Sequence, residues 1–392
     1  MPRTGVVVVG GGPSGLLAAM SAAQFSDVLL LEEHKTFGQP SHCGGLLSLD
    51  ANEKLGVDIG KDLVLNSIRG FVFHSPSGFE LEVDAGRPCA QVIERSLFDQ
   101  RLAELAERRG CRLLNLRALS IRQRNGFAVV EAENGIEFSA QIAIDAEGIG
   151  RRLAAAAGFN SRVREAVPAA QVTVRCSEVD PSFAHVFLGE LYGDFMAYTI
   201  PLDRRTARVG CATRRTDPAR VCEMVCKKFY GDYRPILSSR WAVWTGGPLK
   251  ETRIGRIILA GDAAGHTKPT TGGGIVFGGI MARHAGSAAG KFASTLDEEK
   301  LAEMDENAKP MIRRMRRLLL ARKLLSASSD RTLDRGIKIM GSRVEELRSL
   351  LRSTDFDFHE NVLPDLLQAL ALTRIPIMLL ADVLMRTFNY RF

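Results

Sequence analysis

The chain has 392 residues, 45% of them hydrophobic, with a formal net charge of +7 and seven cysteines. Such a chain is globular, with a core large enough for two or three domains. The charge is too modest to suggest a nucleic-acid partner, and the cysteines lack metal-like spacing, so no metal is expected and a reducing compartment suits them.

Taken in order, Met1-Pro2-Arg3-Thr4 leads straight into an apolar strand, which leaves no room for a signal peptide. No apolar run reaches the roughly 18 residues of a spanning helix. The longest candidate, from Ile375 to Ala381, breaks at Asp382, so a cytoplasmic protein is expected. The first strand, Val6 to Val9, runs into Gly10-Gly11-Gly12-Pro13-Ser14-Gly15 and then a helix of small residues. Gly10 suits the tight turn, Gly12 lets a pyrophosphate approach the main chain, and Gly15 lets the helix pack close to the strand. A second strand from Val28 ends in Glu32, the acid expected roughly 20 residues on to hold ribose hydroxyls. Together these predict a dinucleotide site, with NAD and FAD both open.

The loop from Glu33 to Ser48 turns glycine-rich at Cys43-Gly44-Gly45, where small residues let a planar ring lie on the backbone. A Ser-Pro-Ser-Gly turn predicts a hairpin over residues 70 to 83. The spacing of Leu97, Phe98, Leu102 and Leu105 predicts a helix with Ser96 as its cap and Arg95 at its start. A meander of strands over 111 to 145 returns to the main sheet. Residues 165 to 248 are strand-like with one helix near Pro218 to Phe229, which predicts a second, antiparallel domain walling the cofactor's reactive end. Cys222 and Cys226 are expected on one face of that helix.

A late strand ends in Gly261-Asp262, and a further helix begins after Gly272-Gly273-Gly274 at Ile275. An acid there can accept hydrogen bonds from a polyhydroxylated chain, and a helix N-terminus favours a ring that gains negative charge on reduction. NAD needs neither feature, whereas FAD accounts for both. From about residue 297 the chain is predicted helical. Its basic stretch, Lys309 to Lys323, is read as a solvated face, with anionic lipid headgroups or an acidic partner as the alternative.

Over residues 4 to 295 the sequence resembles the FAD-dependent oxidoreductases of the para-hydroxybenzoate hydroxylase fold, and within them the archaeal-type geranylgeranyl reductases. The resemblance rests on Cys43-Gly44-Gly45-Leu46-Leu47-Ser48, on Ile93 to Asp99, and on Gly261 to Gly265 with Lys268 to Ile275. It implies an α/β fold: a Rossmann-like FAD-binding domain, an antiparallel-sheet substrate domain and a C-terminal helical region. The FAD-binding domain is expected in three parts, 1–65, 93–164 and 249–295. The substrate domain takes the 66–92 hairpin and 165–248, and the helical region 296–392.

Carried over by position, Ser14 and Glu32 would contact the adenosine half, Cys43 and Gly44 the flavin region, and Arg95 the phosphate and ribitol. Ala118 would meet the adenine through its backbone, Asp262 the ribitol, and Gly274 and Ile275 the flavin. Two departures stand out. The fold's Asp-Gly element appears as Glu147-Gly148, one methylene longer, which is expected to weaken one contact. The family's Tyr-x-Trp-x-Phe-Pro signature is reduced to Met196-Ala197-Tyr198-Thr199-Ile200-Pro201, leaving Tyr198 and Pro201 as substrate candidates.

The implied activity is reduction of isoprenoid double bonds of a membrane lipid or its precursor. Cys43 is either proton source or a small residue covering the ring, with His266 and Tyr198 behind it. No second strand-glycine-helix unit for NADPH is seen, so the electron donor is expected to be a docked protein or a transiently bound nicotinamide. A peripheral membrane contact through the basic stretch or the C-terminal segment is a further expectation. Two other activities fit the same fold: an oxygen-using hydroxylase and a non-catalytic prenyl carrier.

Overall fold

The computed structural model describes residues 3–160, 165–362, 375–379 and 382. Its first sheet has a parallel core in the order Arg112–Asn115, Val28–Glu32, Arg3–Val9, Glu137–Asp145, Ile257–Leu259. Val6 to Val9 are buried because helices or strands cover both faces, the reason a parallel strand reads as an unbroken apolar run. Phe127–Ala132 and Ala118–Arg124 complete the predicted meander as antiparallel strands on Glu137–Asp145.

Helix Ile275–Thr295 lies against helix Pro13–Ala22, and the glycines in it are a packing requirement. A Cβ at Gly286 would stand 2.1 Å from the Ala18 carbonyl oxygen, and one at Gly290 would stand 2.5 Å from that of Ala22. The two helices that open at the two glycine motifs are thereby clamped side by side, bringing both motifs to one edge of the sheet.

The second sheet has seven strands in the order Tyr233–Trp244, Ala166–Cys176, Thr206–Ala212, Met196–Pro201, Phe183–Phe187, Gly70–His74, Glu80–Asp84. The hairpin forms as expected, but its ladder with Phe183–Phe187 is parallel, so the sheet is antiparallel everywhere except where the hairpin joins it. Helix Pro218–Tyr230 covers one face and buries Cys222 and Cys226. A small sheet of Leu46–Leu47, Ala90–Ile93 and Val64–Ile68 bridges the two larger ones.

Helix Arg95–Arg108 is capped by Glu94, not by Ser96. The Glu94 carboxylate accepts from the Ser96 amide and hydroxyl at 3.4 and 3.0 Å, which places Ser96 inside the first turn. Helices Glu299–Ala327, Asp330–Gly341 and Val344–Ser353 form the C-terminal region. Most of the proposed terminal amphipathic segment lies outside the described residues. Among those described, no helix is long and apolar enough to cross a membrane.

Candidate FAD and substrate site

The first glycine turn is shaped by close approach. Gly10 has φ +99°, and a Cβ on it would meet the Ala146 carbonyl oxygen at 2.4 Å. A Cβ on Gly15 would meet the Gly10 oxygen at 1.9 Å, whereas one on Gly12 would find nothing within 4 Å. Gly12 is also the N-cap of helix Pro13–Ala22 with no side-chain cap, so the free amides of the first turn face an open space that suits a pyrophosphate.

Glu32, at its strand's end, accepts from the Gly11 amide and, at 2.8 Å, from the His34 amide, so its carboxylate stands at the turn. Asn115 ties the next strand to the carbonyls of Glu32 and His34, and Ala118 follows three residues on, buried in the same edge. Ser14 reaches the second motif, where Cβ atoms on Gly261 and Gly278 would stand 2.5 and 2.8 Å from its hydroxyl.

At that second motif Asp262 follows Gly261, whose φ is +61°. The Asp262 carboxylate receives no hydrogen bond from any described side chain or amide. Burial lifts its pKa, with Arg151 and Arg95 opposing. It therefore awaits donors, which the hydroxyls of a ribitol chain would supply. Gly274 lies beside it; a Cβ there would be 2.9 Å from the Asp262 Oδ1. Ile275 opens the following helix, again without a side-chain cap. Open space at Gly12, an undonated acid at Asp262 and an uncapped helix at Gly274 fit the two ends of FAD.

Beneath this surface lie buried polar groups. Arg151 donates to the Asp262 carbonyl at 2.9 Å and sits 3.7 Å from the Trp244 ring centroid, its pKa drawn down to about 10 by burial. Both nitrogens of His266 are buried without a partner among the described residues, and burial pushes its pKa down to about 3, so the imidazole is neutral. Glu147 departs from expectation differently. Its longer side chain accepts from the amides of Arg152, Leu153 and Ala154 at 2.8 to 3.0 Å, so the extra methylene lets it cap the helix Arg152–Ala156.

The loop at Cys43 meets the seven-stranded sheet. The Cys43 thiol is half-buried and accepts from the Gly45 amide at 3.3 Å. Its carbonyl accepts from Gln171 Nε2 at 3.3 Å, and Gln171 Oε1 accepts from the Tyr198 hydroxyl at 2.9 Å. A Cβ on Gly44 would lie 3.0 Å from Ile200 Cδ1 and 3.6 Å from the Tyr198 oxygen. Burial raises the Tyr198 pKa, so the phenol stays protonated.

Arg208 donates to the Gly44 and Ile93 carbonyls, each at 3.1 Å, and pairs with Glu94 at 2.9 Å, pinning the loop to the sheet. Arg95 forms a two-bond pair with Asp99, both at 2.8 Å, and its charge reaches Cys43 and Asp262. Cys43, Gly44 and Tyr198 are thus linked by contacts through Gln171, and the Arg95 charge acts on Cys43 and Asp262. Pro201 is not part of this group: it ends the strand, and its carbonyl accepts from Asn66 at 2.9 Å.

Sequence reasoning missed Gln171 and Arg208, although a long polar side chain within an apolar strand is a signal. It also missed residues 355 to 360, Asp-Phe-Asp-Phe-His-Glu. Asp357 pairs with the buried Lys268 at 2.5 Å and accepts from the Ser48 amide at 2.9 Å. Phe356 stacks on Phe71 at 5.6 Å, and His359 meets the Thr270 hydroxyl at 2.8 Å. This segment straps the loop before Gly272 to the loop after Cys43. Among the described residues, no group of three His, Cys, Asp or Glu could hold a metal.

A family model described as FAD binding domain matches residues 3–317. Digeranylgeranylglycerophospholipid reductase 1 of Methanopyrus kandleri is 31% identical over 303 residues, covering 72% of this chain and 80% of the relative. The digeranylgeranylglycerophospholipid reductase of Methanosarcina acetivorans is 27% identical, covering 77% and 79%. Among solved structures, a geranylgeranyl bacteriochlorophyll reductase-like protein of Thermoplasma acidophilum superposes with TM-score 0.82 at 24% identity, over 93% of this chain and 100% of that one. A p-nitrophenol 4-monooxygenase of Pseudomonas putida gives 0.74 at 19% identity, over 92% and 98%, so the fold is shared by enzymes of different activity. The chain is an FAD-dependent oxidoreductase and belongs to the family of archaeal digeranylgeranylglycerophospholipid reductases.

Proposed function

We propose that the protein reduces the isolated double bonds of geranylgeranyl chains in a membrane lipid or lipid precursor. The observation that carries this reading is the meeting of Cys43 and Tyr198 at Gly44, where an apolar sheet face with Ile200 closes on the flavin loop. When bound and reduced, FAD supplies the hydride. The chain's own part is to exclude water, hold the alkene in place and deliver a proton to the second carbon. Cys43 Sγ is assigned as the proton donor. Tyr198 positions it by holding Gln171, whose amide holds the Cys43 carbonyl. Arg208 fixes the same loop from the other side.

The test is anaerobic. The FAD-loaded protein is reduced, geranylgeranyl-bearing lipid is added, and flavin absorbance is followed together with product mass. Reoxidation with a gain of two hydrogens per bond is expected. Flavin that stays reduced until oxygen is admitted, with a hydroxylated product, would replace the reading with a hydroxylase.

A lipid substrate also gives the basic helix a role. Arg313, Arg316, Arg317, Leu320 and Lys323 form one exposed stripe of helix Glu299–Ala327, suited to an anionic bilayer surface. Replacing the four cations by glutamate is expected to abolish sedimentation with phosphatidylglycerol vesicles; unchanged sedimentation refutes the contact.

A further inference from the structure

Thr270, in the loop before Gly272, borders a cavity of about 50 Å³. Phe195 and Met196 of the substrate sheet close it on one side, and Arg322, Leu325 and Ser328 at the end of helix Glu299–Ala327 on the other. Arg322 is only 7% exposed, and it forms no ion pair or hydrogen bond with any described residue. Its guanidinium lies 4.4 Å from the Phe195 ring centroid. Burial pulls its pKa down to about 10, with only weak help from Asp194.

A buried cation without a counter-charge is costly to the fold. The carboxylates nearby are engaged elsewhere: Asp194 pairs with Arg214 at 3.2 Å and accepts from its amide at 2.8 Å, and Glu190 pairs with Arg215 at 3.3 Å. Among the described residues no acceptor takes the Arg322 donors, which stand at the edge of the cavity. At about 10–15 Å³ for each water, the cavity has room for a group of roughly four waters, a scale that suits one phosphate better than an isoprenoid chain. Met196 and Tyr198 stand two residues apart on one strand, so they share a face of the sheet. Met196 thus borders the cavity from the sheet face that also carries Tyr198.

We propose that this cavity is an anion subsite in which Arg322 binds a phosphate group. Resting on the reading of an isoprenoid lipid substrate, that phosphate is the one on the substrate's head group. The head would be anchored between the Thr270 loop and helix Glu299–Ala327, and the chain would run past Met196 toward Tyr198. A planar guanidinium presents paired donors that match a phosphate, and each such bond to a charged group is among the stronger ones available.

The test is calorimetric titration of the FAD-loaded full chain with geranylgeranyl diphosphate, geranylgeraniol and inorganic pyrophosphate. The diphosphate is expected to bind about 10- to 100-fold more tightly than the alcohol. Arg322→Met is expected to remove that preference and Arg322→Lys to keep part of it. Equal affinity for the two lipids in the unmodified protein, or a preference that survives Arg322→Met, overturns the proposal. If the Met variant does not fold, a preference undiminished in Arg322→Lys overturns it instead, because the fork is lost. Pyrophosphate that binds as tightly as geranylgeranyl diphosphate assigns the cavity to free phosphate and overturns the head-group assignment. Binding is read without turnover, so a protein that shows the preference but reduces no double bond refutes the reductase reading and not this one.

Discussion

Removing the carboxylate of Asp357 should destabilise the protein strongly. Lys268 and Asp357 face each other at 2.5 Å with side chains only 3% exposed each. Asp357→Ala leaves the ammonium of Lys268 buried and unpaired, a loss of about 3–5 kcal/mol for a buried pair. The Ser48 amide, bonded to the same carboxylate at 2.9 Å, loses its acceptor, adding about 1 kcal/mol. Phe356, which lies under Lys268 at 4.8 Å and on Phe71, softens the loss through a cation–π contact but cannot replace a counter-ion.

The double variant Lys268→Met/Asp357→Leu removes both charges and fills similar volume, so it should recover most of that stability. Urea titration of the four proteins in a double-mutant cycle measures the coupling directly. A loss below about 1 kcal/mol for Asp357→Ala, in the range of exposed pairs, would refute the reasoning. The pH dependence follows. Burial works against the Asp357 charge, but Lys268 and the Ser48 amide outweigh it and hold the folded pKa below the usual carboxylate value. The contribution is therefore complete above about pH 4 and is lost as pH falls further through the depressed folded value.

Gly12→Ala should leave the thermal midpoint of the apoprotein nearly unchanged, since its Cβ meets nothing, while weakening FAD at least tenfold. Gly15→Ala should fail at folding, because its Cβ would sit 1.9 Å from a carbonyl oxygen; circular dichroism separates the two cases. Asp262→Asn should leave the apoprotein at least as stable, since burial disfavours the charge, yet weaken FAD in fluorescence titration. His359, held at about 4 by burial and then by Lys268, is neutral in the folded state. An unfolded value near 6.5 means that stability is full above that pH and falls by about 3 kcal/mol by pH 4, measurable as the difference from His359→Gln in acid titration.

What the sequence revealed follows from the range over which each constraint acts. Gly10, Gly15 and Gly261 are fixed by backbone angles or by contacts with main-chain atoms, so glycine at those spacings carries the cofactor geometry within a few residues of chain. The hairpin over 70 to 84 is likewise local, set by its own turn. Its parallel ladder with Phe183–Phe187 joins segments more than 100 residues apart, and nothing in either strand's alternation specifies that partner. Ser96 shows the limit at short range: Ser and Glu both supply a capping oxygen, and only the fold shows that the chain turns helical at Arg95, one residue before Ser96.

Gln171 and Arg208 were visible as polar residues in apolar strands. Their meaning lay in the Cys43 loop, whose carbonyls they hold from 128 and 164 residues away. The strap at 355 to 360 is the extreme case. Its alternating Asp and Phe residues resemble an exposed turn until Lys268, Ser48 and Phe71 are placed around them. The cofactor motifs were therefore legible because they act through the backbone beside them. The surroundings of Cys43 were not, because Gln171, Tyr198 and Arg208 reach it from other parts of the chain.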